Sequence, residues 1–278
     1  MPLNAERDLL PLSNTVISRD QLEFTEEPDT RRMVSAALAE NRLRCAFQPI
    51  VSAARPKVVS FYECLARVVE RNGDIVPAGR FIPSVETTDL GRLVDRAILR
   101  EALTVLQNNR RVRLSVNLSA KGLGDQGWLD ILQQVERESP GVCDFLIVEI
   151  TETALLDISP GVISFLEALR KLGCSVALDD FGAGHTSISH LTKFRFDFLK
   201  IDGSFVMGIS ENKDNQFLVR SMVSIARHFE MVCVAEMVGS DKDADVLRSM
   251  GVDCLQGYHF GVPQMELPAF QPQRSAAQ

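Results

Sequence analysis

The chain has 278 residues, 45% of them hydrophobic and 24% charged, with 17 glycines and 12 prolines. Those proportions leave room for a sizeable core and exclude collagen-like, mucin-like and wholly disordered chains. Thirty Lys and Arg against 37 Asp and Glu leave a net charge of −7, which argues against a nucleic-acid polymer as partner.

Residues 1–27 mix Pro, Ser, Asn and charge without periodicity and read as a leader or linker. They contain no charged lead followed by an apolar stretch, so no secretory signal is visible and the cytoplasm is the expected location. Residues 28–266 are expected to form one domain and 267–278 a flexible tail. The spacing of Met33, Ala36, Ala37 and Leu43 predicts an amphipathic helix over 29–43. Beyond it, apolar and β-branched runs predict strands over 45–51, 58–68, 112–118, 145–151, 175–180, 198–202, 232–236 and 254–260. Helical spacing occupies 93–106, 128–138, 160–172, 215–229 and 241–250, with Gly173 and Gly251 as stops. The longest apolar runs fall well short of the roughly 18 residues of a membrane span. Phe145-Leu146-Ile147-Val148, for example, is bounded by Asp144 and Glu149. Six cysteines form no Cys-x-x-Cys pair and mostly sit in apolar runs, as buried reduced thiols do.

Only residues 52–57 separate the first two strands, too few for a crossover helix, so these two form an antiparallel hairpin. Six strand–helix units follow, and the whole predicts an α/β fold, a (β/α)8-type barrel with an irregular opening. An open doubly wound sheet is the competing architecture, weakened because no Gly-x-Gly-x-x-Gly turn follows an early strand.

The strand ends carry an unusual set of side chains: Glu63, Asn117, Glu149, the pair Asp179-Asp180, Lys200 with Asp202, and Glu236. A charge in an apolar strand costs several kcal/mol unless paired or metal-bound. A single acid there would be read as a helix cap or the partner of a nearby base. In a barrel, however, these ends converge on one mouth, where so many carboxylates repel one another unless compensated. Divalent cations are the natural compensation, and all-oxygen donors favour hard ions such as Mg²⁺ or Mn²⁺. Adjacent acids at 179 and 180 allow two ions to be held from one strand end, an arrangement suited to activating water against a phosphodiester. Lys200 would orient or deprotonate water or neutralise a phosphate oxygen.

The same residues fall in an ordered series of motifs: Phe47-Gln48-Pro49-Ile50, Glu63-Cys64-Leu65-Ala66-Arg67, Phe81-Ile82-Pro83, Asn117-Leu118-Ser119, Glu149-Ile150-Thr151-Glu152, Asp179-Asp180-Phe181-Gly182, Leu199-Lys200-Ile201-Asp202, Ala235-Glu236, and Gln256-Gly257-Tyr258 with Pro263. Over about residues 30–266 the chain resembles the EAL family of bacterial cyclic di-GMP phosphodiesterases. The resemblance implies a modified TIM (β/α)8 barrel with an antiparallel strand near its start. It implies hydrolysis of cyclic di-GMP to linear pGpG with Mg²⁺ or Mn²⁺, two ions, in a homodimer open to a regulatory domain or protein partner. Glu63, Asn117, Glu149, Asp179, Asp180 and Glu236 would be metal ligands, directly or through water. Lys200 would position the nucleophilic water, with Glu63 and Glu236 in the catalytic group. Glu152 would hold the loop after the Asp pair, and Gln48, Arg67, Gln256 and Asp202 would face the substrate.

The chain departs from the family pattern at three places. Cys64 replaces the middle Ala of the signature. Ala183 and His185 follow the Asp pair where Thr and Tyr are common. Glu236-Met237-Val238-Gly239 stands where Glu-Gly-Val-Glu is usual. Met237 adds bulk where the backbone needs an unusual dihedral, and Gly239 removes a carboxylate. The alternative function is therefore a weak or inactive domain that serves as a cyclic di-GMP receptor or scaffold. A third reading, enolate-type metal chemistry, lacks a second base beside Lys200. His185, His190, His228 and His259 share no spacing with the acids and read as surface or packing residues.

Overall fold

The computed structural model describes residues 27–155, 159–184 and 189–267, with backbone alone at 189 and 190. The expected leader, apart from Glu27, the expected tail, apart from Leu267, and His185 lie outside the described residues.

Helix α1 (Glu27–Ala39) leads into β1 (Leu43–Ser52), β2 (Val59–Val69) and a short β3 (Ile75–Pro77). The short α2 (Ile82–Val85) and the long α3 (Asp89–Asn108) follow. Strands β4 (Leu114–Asn117), β5 (Leu146–Thr151), β6 (Ser175–Phe181), β7 (Phe198–Ile201), β8 (Val232–Ala235) and β9 (Cys254–Gln256) then alternate with helices. Those helices are α4 (Gln126–Glu138), α5 (Pro160–Lys171), α6 (Ser189–Lys193), α7 (Gly203–Val206), α8 (Lys213–His228) and α9 (Asp241–Met250).

The predicted barrel is present. Strands β9 to β4 run side by side in reverse chain order, β4 pairs with β2, and β1 closes the ring between β2 and β9. Neighbours from β2 through β4 to β9 are parallel. Strand β1 runs antiparallel to both of its partners, so the expected hairpin is the closure of the barrel itself.

Three sequence expectations need correction, the first being the strand expected over 254–260, which ends at Gln256 where the chain turns. The helix predicted over 29–43 stops at Ala39, because Asn41 turns the chain out with φ 50° and Leu43 already belongs to β1. Eight predicted strands missed β3, an Ile-Val-Pro triplet too short to carry a period, which pairs antiparallel with β2 outside the barrel. Gly251 ends α9 with φ 87° and Gly173 follows α5 with φ 96°, as stops in the left-handed region that favours glycine.

Alternation along the strands divides the barrel interior into two levels. Ile50, Phe61, Ile147, Ala177, Phe198, Val234 and Cys254 form an apolar floor, with Phe61 and Phe198 edge to face at 5.4 Å. Two residues further along the parallel strands stand Glu63, Glu149, Asp179, Lys200, Glu236 and Gln256, and two residues earlier on the reversed β1 stands Gln48. The period of two that buries the floor therefore delivers the polar set to one level above it. A second, larger apolar core lies between barrel and helices, and includes Leu99, Leu103, Leu132, Leu166, Trp128 and Phe165. The six cysteines are free and buried.

Candidate active site

Lys200, on β7, is 1% exposed and sits at the centre of the polar level. Its Nζ lies 2.6 Å from Glu236 Oε1, 2.8 Å from Glu149 Oε2, 3.0 Å from Asp179 Oδ1 and 3.7 Å from Glu63 Oε2. Burial alone would lower the ammonium's pKa, but the surrounding carboxylates raise it well above its ordinary value. The lysine is therefore a fixed cation.

Glu63, on β2, is held from both sides by amides. Asn117 Nδ2 donates to its Oε1 at 2.8 Å, and Gln256 Nε2 donates to its Oε2 at 2.6 Å. Gln256 Nε2 also reaches Gln48 Oε1 at 3.1 Å, and Gln48 Nε2 donates to the Gly261 carbonyl at 3.2 Å. Burial pushes the Glu63 carboxyl up, yet Lys200 and the two amides outweigh it and bring the pKa below the usual range. Sequence reasoning set Gln48 and Gln256 toward a substrate. Both are buried, and the bonds they make run to Glu63, to each other and to a backbone carbonyl.

The Asp pair owes its arrangement to a local irregularity. Pairing of β6 with β7 shifts between Leu178 and Phe181, and Asp180 adopts φ 55°. The shift lets consecutive residues face one region, and Asp180 N–H donates to Asp179 Oδ1 at 3.0 Å. Asp179, Asp180 and Glu236 each offer a carboxylate oxygen within 4.8 Å of the others. Burial, with Asp179 nearby, moves the Asp180 carboxyl up to about 6. Burial raises Glu236 to about 8 even against the pull of Lys200. Glu149 rises well above the carboxylate range for the same reason. One ammonium thus faces the carboxyls of Glu63, Glu149, Asp179 and Glu236, with Asp180 next to the last two. Glu149 Oε1, moreover, is buried without a hydrogen-bond partner. An all-oxygen donor set with surplus negative charge and an unpartnered carboxylate oxygen fits hard divalent cations.

The remaining candidates lie around this centre. Glu152, buried, accepts from Gly182 N–H at 3.2 Å through Oε2, which ties the segment after β6 to the end of β5. Asp202 caps α7 through Ser204 N–H at 2.9 Å. Arg67 Nη1 donates to the Ala66 carbonyl at 2.8 Å. Burial lowers the Arg67 pKa, with Tyr258 and Glu63 pulling the other way. Among the histidines, His228 lies against Phe229 and His259 meets Asp241 at 3.0 Å. Asp95 escaped the sequence reading, and Tyr258, although part of the Gln256-Gly257-Tyr258 motif, received no role in it. Tyr258 is 75% exposed beside Arg67. Asp95 is a buried acid on α3, and its signal was a carboxylate inside the apolar stripe of Val94, Ile98 and Leu99.

A closed α/β barrel with an acid-rich polar level around a buried lysine is the class of protein that the fold and the site define. The family model for the EAL domain matches residues 31–263, and the chain belongs to the EAL domain family. It is 33% identical over 237 residues to the cyclic di-GMP phosphodiesterase PdeB of Shewanella oneidensis, covering 83% of this chain and 28% of that protein. It is 30% identical over 244 residues to the cyclic di-GMP phosphodiesterase NbdA of Pseudomonas aeruginosa, covering 86% of this chain and 31% of that protein. The chain thus spans about a third or less of the length of these relatives. Among solved structures it is similar to the PaMucR phosphodiesterase in complex with c-di-GMP, with TM-score 0.77 and 26% identity over 85% of this chain and 97% of that one.

Proposed function

We propose that this chain is a metal-dependent phosphodiesterase that hydrolyses cyclic di-GMP to linear pGpG. The observation that carries the reading is the convergence of four carboxyls on Lys200, with Asp179, Asp180 and Glu236 oxygens within 4.8 Å of one another. Family membership and the names of the relatives support the substrate.

In this reading Glu63, Asn117, Glu149, Asp179, Asp180 and Glu236 would hold Mg²⁺ or Mn²⁺, two ions being expected because the Asp pair presents two carboxylates from one strand end. When bound, the ions supply positive charge to the phosphodiester oxygens and lower the pKa of a nearby water. Lys200 keeps its charge and presents N–H donors that orient a water for attack. The water oxygen bonds to phosphorus as one ester oxygen leaves, and the proton the water gives up is balanced by the proton the leaving oxygen takes up. Gln256, Gln48 and Asn117 keep Glu63 aimed at the centre, while Glu152 holds the segment after the Asp pair. Arg67 offers its planar fork to phosphate, and Asp202 stands at the rim beside Asp180.

The reading extends to a bacterial, cytoplasmic homodimer under control of a regulatory domain or protein partner, with the barrel domain over 28–266. Exposed Met207 and Phe217 support a second copy as neighbour. No helix among the described residues is long and apolar enough to cross a membrane.

A second reading, a cyclic di-GMP receptor with little turnover, is favoured by Met237. This residue holds φ 53° and is 56% exposed immediately after Glu236. Chromatography of cyclic di-GMP incubated with Mg²⁺ or Mn²⁺ separates the two, with Glu63→Ala as control and binding followed in Ca²⁺. Formation of pGpG that Glu63→Ala abolishes supports the enzyme. Binding without turnover supports the receptor, and absence of both binding and turnover overturns both readings.

A further inference from the structure

The β4–α4 connection begins immediately after Asn117 and is gripped at both ends by consecutive residues of α3. At its start, Asp95 Oδ2 accepts from Ser119 Oγ at 2.6 Å and from Ser119 N–H at 3.2 Å. At its end, Arg96 makes a two-pronged bond to Asp125, Nε to Oδ2 at 2.6 Å and Nη2 to Oδ1 at 2.5 Å. Asp125 in turn caps α4 by accepting from Gly127 N–H. Between them Gly122 N–H donates to the Ser119 carbonyl at 2.9 Å. A Cβ on Gly122 would come within 2.7 Å of Asp95 Oδ2 and overlap Leu118. The loop is thus seated on the Asp95 carboxylate without room for a methyl group.

Asn117 is partly fixed from the strand side, since Leu118 N–H donates to the Glu149 carbonyl at 2.9 Å. Its side chain, however, is exposed at the strand end and donates to Glu63. The direction in which the chain leaves Asn117 is set two residues later, at Ser119. Asp95 is buried and has no ion-pair partner among the described residues. A buried carboxylate kept for packing alone is costly, whereas one that satisfies a backbone N–H and a hydroxyl at a loop start has a positional role.

We infer that Asp95 is a positioning residue for Asn117, acting through Ser119 to hold the carboxamide in the orientation that a divalent cation at the polar level requires. The inference rests on the proposed reading of Asn117 as a ligand. Asp95 touches neither ion nor substrate.

The test is a Mn²⁺ titration of the full chain, followed by the loss of the free-ion electron paramagnetic resonance signal, with no nucleotide present. Asp95→Ala is expected to weaken Mn²⁺ binding about 10- to 100-fold, the range usual for groups that orient ligands. Asp95→Asn, which keeps an oxygen acceptor for Ser119, is expected to recover most of that loss. Ser119→Ala removes the hydroxyl bond while leaving the buried acid, and gives a weaker effect in the same direction if Asp95→Ala fails to fold. In an Asn117→Ala background, Asp95→Ala is expected to change Mn²⁺ affinity no further. A parent chain that binds Mn²⁺ while both Asp95→Ala and Ser119→Ala bind it equally well overturns this inference alone. So does an equal loss in both backgrounds. A parent that takes up no Mn²⁺ overturns the proposed function, and this inference with it.

Discussion

The Met237 side chain lies across the α-carbon of Gly203, so that a Cβ built at 203 would overlap the Met237 sulfur, Cγ and Cβ. Met237 also holds φ 53°, in the region that disfavours side chains. Gly203, the first residue of α7, is small because its neighbour is large. The pair occupies the rim between Glu236 on one strand end and Asp202 on the next.

The two positions should therefore be coupled. Met237→Gly is expected to stabilise the chain by about 0.5–1 kcal/mol, because glycine adopts this φ without strain and Met237 is half in solvent. Gly203→Ala is expected to destabilise by about 1–3 kcal/mol in the parent, as overpacking does. In the Met237→Gly background most of that cost should vanish. Urea denaturation of the four chains measures the coupling, and additive effects would refute it.

The amides around Glu63 give a graded expectation. Gln256→Ala removes the 2.6 Å bond to Glu63 and leaves its Oε2 facing Lys200 at 3.7 Å. Turnover should fall about 10- to 100-fold, as it does when a group orienting a metal ligand is lost. Gln48→Ala, whose bond reaches Gln256 rather than Glu63, should cost less. Steady-state rates of pGpG formation rank the two variants, and a larger loss at Gln48 would contradict the arrangement.

Asp95 supplies a pH dependence that involves no metal. Burial, aided by the Asp125 charge and opposed by Ser119, moves its carboxyl from 3.8 up to about 6. The folded state therefore binds this proton more tightly than the unfolded state does. Its contribution is fully present below about 3.8 and is lost as pH rises through about 6. Asp95→Asn lacks the titration, so the stability difference between variant and parent should move in the variant's favour between pH 4 and 6. The movement should be on the order of 2–3 kcal/mol. Denaturant midpoints across that range measure it, and a flat difference would show that Asp95 titrates near its ordinary value.

The barrel was legible because its strands are short apolar runs at regular intervals, and the polar level because charges end those runs. Glu63, Glu149, Asp179, Lys200 and Glu236 each interrupt an apolar pattern, and the period of two brings them inward together. The bonds that join Gln48 to Gln256 were not legible. They link the first and last barrel strands, 208 positions apart, and depend on ring closure. Nor was the shift at Asp180 legible, since a local slip in pairing leaves no compositional mark. Strand β3 escaped because three residues carry no period, and Asp95 because one acid on a helix ordinarily faces water. The unusual dihedral expected at Met237 is present, an expectation that came from the glycine usual in the family at this position and not from the methionine.

Lys200 has a consequence for the order of events in the life of the protein. An internal counterion already offsets part of the carboxylates' charge, and strand pairing over the apolar floor completes the barrel. The fold should therefore not need an ion for its assembly, unlike small domains that collapse only around their metal. In the proposed metal-dependent reading, binding of a cation would be an exchange of partners, with Glu149, Asp179 and Glu236 leaving the ammonium for the ion. Stripping the metal should silence such a protein while leaving it intact and ready to be recharged.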